Sequence, residues 1–264
     1  MLVAFVRRAL LDASAQPVAQ LLRALGWAFA IVSVIFTTRL IDAGQNPLLA
    51  PWGGYGGFAV LGIVAADLQR SCASSLARCV REAQLQGNLE ALLATPAPTW
   101  LVLLGASLPE ILAACLRSLV YLALAAIAFD VPVARCDLAA ALLAFVLTLA
   151  AFGALNLIGG AITLALRRGD SFGAVVGGLS FLAGGVLYPR EVLPSWLRAA
   201  GDLVPMTPAL EALRRAILLG EGARALLPLY GRLALFTIVI APLGALLFSA
   251  ALRRARRDGS LAYL

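Results

Sequence analysis

The sequence predicts an all-α membrane protein with six transmembrane helices. Three observations carry that prediction. The chain is 62% hydrophobic and 13% charged, whereas soluble domains average roughly half apolar and about a quarter charged residues. Its mean hydropathy is +0.93. The apolar residues gather into long runs, and 264 residues hold about six spans of ~20 residues with their connectors. Little remains for a separate soluble domain, so 1–264 reads as a single transmembrane domain.

Within residues 1–12, Leu2, Phe5, Val6, Ala9 and Leu10 share one helical face, with Arg7 and Arg8 off it. That pattern predicts a helix lying in the membrane interface. Arg23 ahead of an apolar run also fits a signal peptide, but five further spans favour an uncleaved first span. The spans are expected at about 21–41, 52–75, 100–129, 138–166, 172–187 and 229–252. Polar turns separate them at Asp42–Pro47, Asp130–Asp137 and Arg167–Asp170. The fifth span is glycine-rich, with Gly173, Gly177, Gly178, Gly184 and Gly185, which predicts close helix packing.

Residues 188–228 fit neither a span nor a loop. Tyr188 opens the segment, and Pro189, Pro194, Pro205 and Pro208 divide it into pieces too short for a bilayer core of ~30 Å. Thr207 reads as an N-cap with Pro208 at the first helical position, Glu211 in the first turn and Gly220 at the end. Leu210, Leu213, Ile217 and Leu218 form its apolar face. Two short re-entrant helices in the outer leaflet account for this pattern better than an aqueous domain.

The longest polar interruption in the first two-thirds of the chain is 81–96. Arg81, Glu82 and Glu90 do not belong in hydrocarbon. Leu85, Leu89, Leu92 and Leu93 nonetheless keep a helical apolar stripe. Asn88 after Gly87 suits an N-cap, Glu90 suits the first turn and Pro96 stops the helix. The expectation is a short amphipathic helix at the membrane face, with an ordinary solvated loop as the alternative.

The arginines set the orientation. With the N-terminus inside, inner segments hold Arg7, Arg8, Arg78, Arg81, Arg167, Arg168 and the tail arginines Arg253, Arg254, Arg256 and Arg257. The short outer turns hold Arg135 and Arg39. This positive-inside bias puts both termini and 81–96 in the cytoplasm, and 188–228 outside. The net charge of +7 therefore reads as headgroup anchoring, not as a nucleic-acid surface.

The chain has no His, and all 21 basic residues are Arg. Without Lys there is no G-x-x-x-x-G-K-[ST] loop to hold nucleotide phosphates. Without His there is no Ser-His or Cys-His pair and no H-E-x-x-H zinc site. The cysteines Cys72, Cys79, Cys115 and Cys136 lack the spacing of a metal knuckle and read as small apolar residues. No catalytic residue, metal site or cofactor is assigned to this chain.

Glu110 and Arg117 stand inside the third span, about 10 Å apart along the axis at ~1.5 Å per residue. Arginine near a helix centre costs about 2.5–3.5 kcal/mol on insertion scales, so it faces protein or water. With Asn156 in the fourth span, these residues either line a pathway or bind helices together.

Glu82-x4-Gly87-Asn88-Leu89-Glu90-x-Leu92-Leu93-x-Thr95-Pro96 resembles the cytoplasmic coupling region of ABC type-2 exporter permeases. Two further stretches resemble the segment before that family's last span. They are Gly185-Val186-Leu187-Tyr188-Pro189-Arg190-Glu191-Val192-Leu193-Pro194-Ser195-Trp196-Leu197 and Pro205-x-Thr207-Pro208-x2-Glu211-Ala212-Leu213-Arg214. Asn88 stands where Thr is usual, and both residues cap helices. The resemblance covers essentially the whole chain. It implies a cell (inner) membrane permease subunit that exports amphipathic or hydrophobic cargo with a second permease copy and two separate cytoplasmic ATPases. ATP and Mg would be held by those ATPases, and Glu82, Gly87, Asn88, Glu90, Leu92 and Leu93 would form the docking site.

A proton-coupled secondary transporter using Asp67, Glu110 and Asp130 is the main alternative. No convincing internal repeat supports it. A hydrolase built on Asp67 and Glu110, or a structural scaffold, are more distant readings.

Overall fold

The computed structural model describes residues 49–52, 54–85, 99–129, 136–166 and 171–257, with Gly26, Phe29, Val32, Ser33 and 36–38 ahead of them. Among the described residues every regular element is a helix. In chain order they are α1 (Tyr55–Leu85), α2 (Thr99–Phe129), α3 (Leu138–Leu166), α4 (Ser171–Ala183), α5 (Ser195–Asp202), α6 (Met206–Arg214) and α7 (Leu227–Arg257). The interfacial helix at 1–12 lies outside the described residues, as does nearly all of the first predicted span.

Among the described residues three helices are long and apolar enough to cross a membrane: Ser107–Ile127 in α2, Leu138–Ala165 in α3 and Leu227–Arg254 in α7. They carry the third, fourth and sixth predicted spans. Their outward faces hold Leu116, Leu119 and Ile127, and Leu235, Ile238 and Leu246, all exposed. Apolar faces of this kind suit lipid, not water.

The other two predicted spans differ in their limits. The fifth is helical only to Ala183, giving a 13-residue helix. Gly185 then adopts φ +69°, a left-handed turn that glycine tolerates. At ~1.5 Å per residue α4 is about 20 Å long, short of the ~30 Å hydrocarbon core. The second, expected to end at Ser75, continues without a break to Leu85. From Leu76 to Leu85 the sequence contains no Gly or Pro and is rich in Arg, Ala, Glu, Gln and Leu, good helix formers. Arg81 and Glu82, the start of the polar interruption, thus belong to the last turns of α1, whereas 86–98 lies outside the described residues.

The core is organised around α1, which packs between α2 and α3, while α3 also runs along α7. Leu61, Leu68, Cys72, Phe152, Leu210 and Leu233 share one buried cluster. A second joins Leu76 and Val80 to Leu164, Phe248 and Leu252. Cys72, Cys115 and Cys136 are free thiols.

Between α4 and α7 two short helices follow one another, as the proline pattern predicts. Pro194 and Pro205 are the N-caps of α5 and α6, and Pro189 that of a 3-10 turn at Arg190–Val192. Thr207 does not cap α6. It lies inside the helix, where its Oγ1 donates to the Gly201 carbonyl at 2.7 Å. The helix begins two residues early because Pro205 already has helical φ and ψ (−65°, −16°). Glu211 accordingly falls beyond the first turn and pairs with Arg215 at 2.7 Å. A π turn at Arg215–Leu219 closes on Gly220 at φ +66°, the expected terminator.

Candidate functional site

Glu110, Arg117 and Asn156, on two different helices, converge on the same face of α1. Arg117 Nε is 2.9 Å from Asp67 Oδ2, and Arg117 Nη2 also donates to Ser71 Oγ. Arg117 Nη2 lies 3.7 Å from Glu110 Oε1, and that same oxygen is 3.2 Å from Arg78 Nη2. Arg78, Glu110, Arg117 and Asp67 therefore form a ladder of alternating charge between α1 and α2. Its members become more enclosed with depth: the Arg78 side chain is 48% exposed and that of Arg117 only 11%. Each acidic group is held by an arginine, and Asp67 and Glu110 do not face each other as a dyad. Asp130 lies outside the described residues.

Asn156 extends the seam to α3. Its Nδ2 donates to Ser75 Oγ at 2.9 Å and to Ser107 Oγ at 3.4 Å. Its Oδ1 accepts the backbone N–H of Leu76 at 2.9 Å. Ser75 Oγ in turn donates to the Cys72 carbonyl. One side chain of α3 thus bonds directly to the α1 backbone, and polar contacts of this kind join helices where no water competes.

A second constellation fixes the N-terminal end of α1, and it turns on Arg214. This residue is 5% exposed. Its Nη2 donates to the carbonyls of Phe58 at 2.9 Å and Val186 at 2.8 Å, and its Nη1 to that of Gly185 at 3.0 Å. Nε also reaches the Phe58 carbonyl at 3.3 Å. Burial pulls the guanidinium pKa down, and Glu191 and Tyr55 oppose that pull. The carbonyl oxygens favour the charged form too, as hydrogen bonds to an ion do. Gly62 makes room for this contact, because a Cβ there would overlap the Val186 carbonyl.

The remaining predicted residues of the outer segment surround this clasp. Tyr188 donates its hydroxyl to the Leu182 carbonyl at 2.7 Å, and burial raises its pKa. Pro208 is buried in α6. Arg190 pairs with Asp202 at 2.7 Å, joining the 3-10 turn to α5. Arg214 ends the second stretch that carries the resemblance, but sequence reasoning assigned it no role of its own. Its signal was an arginine inside an otherwise apolar helix face, beside Leu210, Leu213 and Ile217.

Of the predicted coupling residues, Glu82 is exposed in the last turn of α1, on the side that continues into 86–98. Gly87, Asn88, Glu90, Leu92 and Leu93 lie outside the described residues. A comparison with curated proteins gives no significant match. The family model described as ABC-2 type transporter matches residues 2–218, from the N-terminal segment through the arginine clasp. Over four-fifths of its length, then, this membrane-embedded transport subunit belongs to the ABC-2 type transporter family.

Proposed function

We propose that the chain is the permease subunit of an ATP-driven exporter that moves an amphipathic or hydrophobic substrate across the cell (inner) membrane. It works with a second permease copy and takes its energy from separate cytoplasmic ATPase subunits docked on 81–96. Those subunits hold the ATP and Mg, since this lysine-free chain has no phosphate-binding loop of its own.

The observation that carries this reading is the continuity of α1. It is one 31-residue helix, about 46 Å long at ~1.5 Å per residue. Its outer end is held by the Arg214 clasp through Phe58, and its inner end carries Glu82 directly into the coupling segment. Between these ends the charged ladder ties α1 to α2, and Asn156 ties it to α3. A displacement imposed at Glu82 therefore moves the outer cap and two neighbouring helices together.

The docking residues are Glu82, Gly87, Asn88, Glu90, Leu92 and Leu93. Glu90→Arg in the full chain, co-expressed with its ATPase, is the direct test. The expected result is normal membrane insertion with loss of transport-linked ATP hydrolysis. Unchanged coupling in that variant, or active transport by a purified chain with no nucleotide hydrolase attached, overturns the reading.

A further inference from the structure

Helix α5 turns its polar face inward. Ser195, Arg198, Ala199 and Asp202, spaced i, i+3, i+4 and i+7, line a cavity of about 610 Å³. On its other side Trp196 and Leu203, seven residues apart, are 70% and 80% exposed, and Val192 just ahead of the helix is exposed as well. A helix on a water-soluble domain does the reverse, burying its apolar stripe and exposing its charges. The cavity includes Trp52 and Phe58, so it lies at the N-terminal end of α1, the end opposite Glu82. A tryptophan with aliphatic neighbours, presented there by a short amphipathic helix, suits the boundary between acyl chains and headgroups.

The charges around the cavity are only partly paired. Arg190 meets Asp202 at 2.7 Å, and Arg215 meets Glu211 at 2.7 Å. Arg214, also in the wall, donates to backbone carbonyls, and among the described residues no carboxylate is in ion-pair contact with it. Arg198 and Glu191 remain. Both line the cavity and both are exposed. Among the described residues neither side chain has an ion-pair or hydrogen-bond partner, and the two do not pair with each other. A cation and an anion that share one cavity without meeting are complemented by a ligand carrying both signs. A simple anion would satisfy Arg198 and be repelled by Glu191.

We infer that this cavity holds the headgroup of a phospholipid whose phosphate carries a primary ammonium. Arg198 takes the phosphate, the buried charge of Arg214 supports it, and Glu191 accepts from the ammonium. The acyl chains lie against the apolar side of α5, at Val192, Trp196 and Leu203. Such a lipid ties α5 to the bilayer at the end of α1 opposite the docking residues, whatever the transported cargo.

The test is lipid binding to the full chain, purified in detergent and stripped of lipid, read by native mass spectrometry; no ATPase is needed. The probes are phosphatidylethanolamine, phosphatidylcholine and phosphatidylglycerol with identical acyl chains. Phosphatidylethanolamine should bind about tenfold more tightly than either of the others, the contribution of one charge-assisted hydrogen bond. Glu191→Gln should erase the preference over phosphatidylcholine and leave phosphatidylcholine binding unchanged. Arg198→Gln should weaken phosphatidylethanolamine and phosphatidylcholine alike by about tenfold, and Arg198→Lys should retain most of the affinity. Neither side chain has a protein partner to lose, so both variants should unfold at the temperature of the unaltered chain when lipid-free. Glycerophosphoethanolamine, the same headgroup without chains, should displace the lipid only at far higher concentration. Equal binding of phosphatidylethanolamine and phosphatidylcholine, preference for phosphatidylglycerol, or unaffected Arg198→Gln and Glu191→Gln variants would overturn the assignment. Displacement by glycerophosphoethanolamine at equal concentration would give the site to a soluble zwitterion and overturn the lipid.

Discussion

The guanidinium carbon of Arg214 lies 3.3 Å from the centroid of the Phe58 ring, while its Nη2 donates to the carbonyl of that same residue at 2.9 Å. One residue of α1 is thus held by a single arginine of α6 through both its side chain and its backbone. The planar fork of arginine can serve a ring face and several carbonyls together, which an ammonium cannot.

Arg214→Met should therefore strip the carbonyls of Phe58, Gly185 and Val186 of a buried donor. At about 1–3 kcal/mol for each buried polar group left unsatisfied, the total loss is on the order of several kcal/mol. Arg214→Lys should fall between the two, because it keeps the charge and loses the fork. Thermal unfolding in detergent measures both, and equal midpoints for Lys and Met would show that geometry is irrelevant here.

The Asp67–Arg117 pair makes a separate prediction. Both side chains are largely enclosed, so removing one partner leaves an uncompensated charge. Arg117→Met should destabilise by about 3–5 kcal/mol, and Asp67→Asn in the same background should recover part of that loss. Unfolding of the two single variants and the double variant gives the coupling energy. Strict additivity would mean that the pair is not interacting in the membrane.

The apolar helices were legible in the sequence because their signal is local: α2, α3 and α7 announce themselves as long uninterrupted runs. The polar seam was half legible. Glu110, Arg117 and Asn156 stood out as charged or amide groups in apolar runs, but their meeting point on α1 depends on how three helices pack. Arg214 was hidden for the same reason, since its acceptors lie 156 and about 28 residues away in sequence. The end of α1 was not legible because a change from apolar to polar residues marks the edge of a membrane, not the end of a helix. Thr207 misled because an N-cap signature and a proline-started helix share the same residues, and Pro205 took the capping position. The glycines of the predicted fifth span divide between two roles. Gly184 is tightly enclosed against Met206, whereas Gly177 and Gly178 border open space.

Gly62 provides a clean contrast with Gly153. A methyl group at Gly62 must displace the Val186 carbonyl, a backbone atom that belongs to the Arg214 clasp. Gly62→Ala is expected to cost about 1–3 kcal/mol, the usual range for overpacking. Gly153 sits in the interior of α3 with nothing within 4 Å of an added Cβ. Gly153→Ala should leave stability unchanged or raise it by roughly 0.5–1 kcal/mol through helix propensity. Similar midpoints for the two variants would contradict the close approach of α1 to the Gly184–Tyr188 turn.

Asn156 offers a residue-level probe of α1 itself. Its Oδ1 takes the Leu76 N–H, and its Nδ2 takes Ser75 Oγ, which is also bonded to the Cys72 carbonyl. Asn156→Ala removes the acceptor and the donor together, so the turn from Cys72 to Leu76 should open more easily than the rest of α1. Hydrogen exchange followed by mass spectrometry should show faster exchange in peptides covering 72–80, while peptides from α7 stay unchanged. A global loss of about 1–3 kcal/mol would accompany it. Asn156→Asp separates the two roles. It retains an acceptor for Leu76 and loses the donor to Ser75 and Ser107, so the amide of Leu76 should remain protected. If that amide exchanges as fast in Asn156→Asp as in Asn156→Ala, the α3 side chain is not what holds this turn of α1 closed.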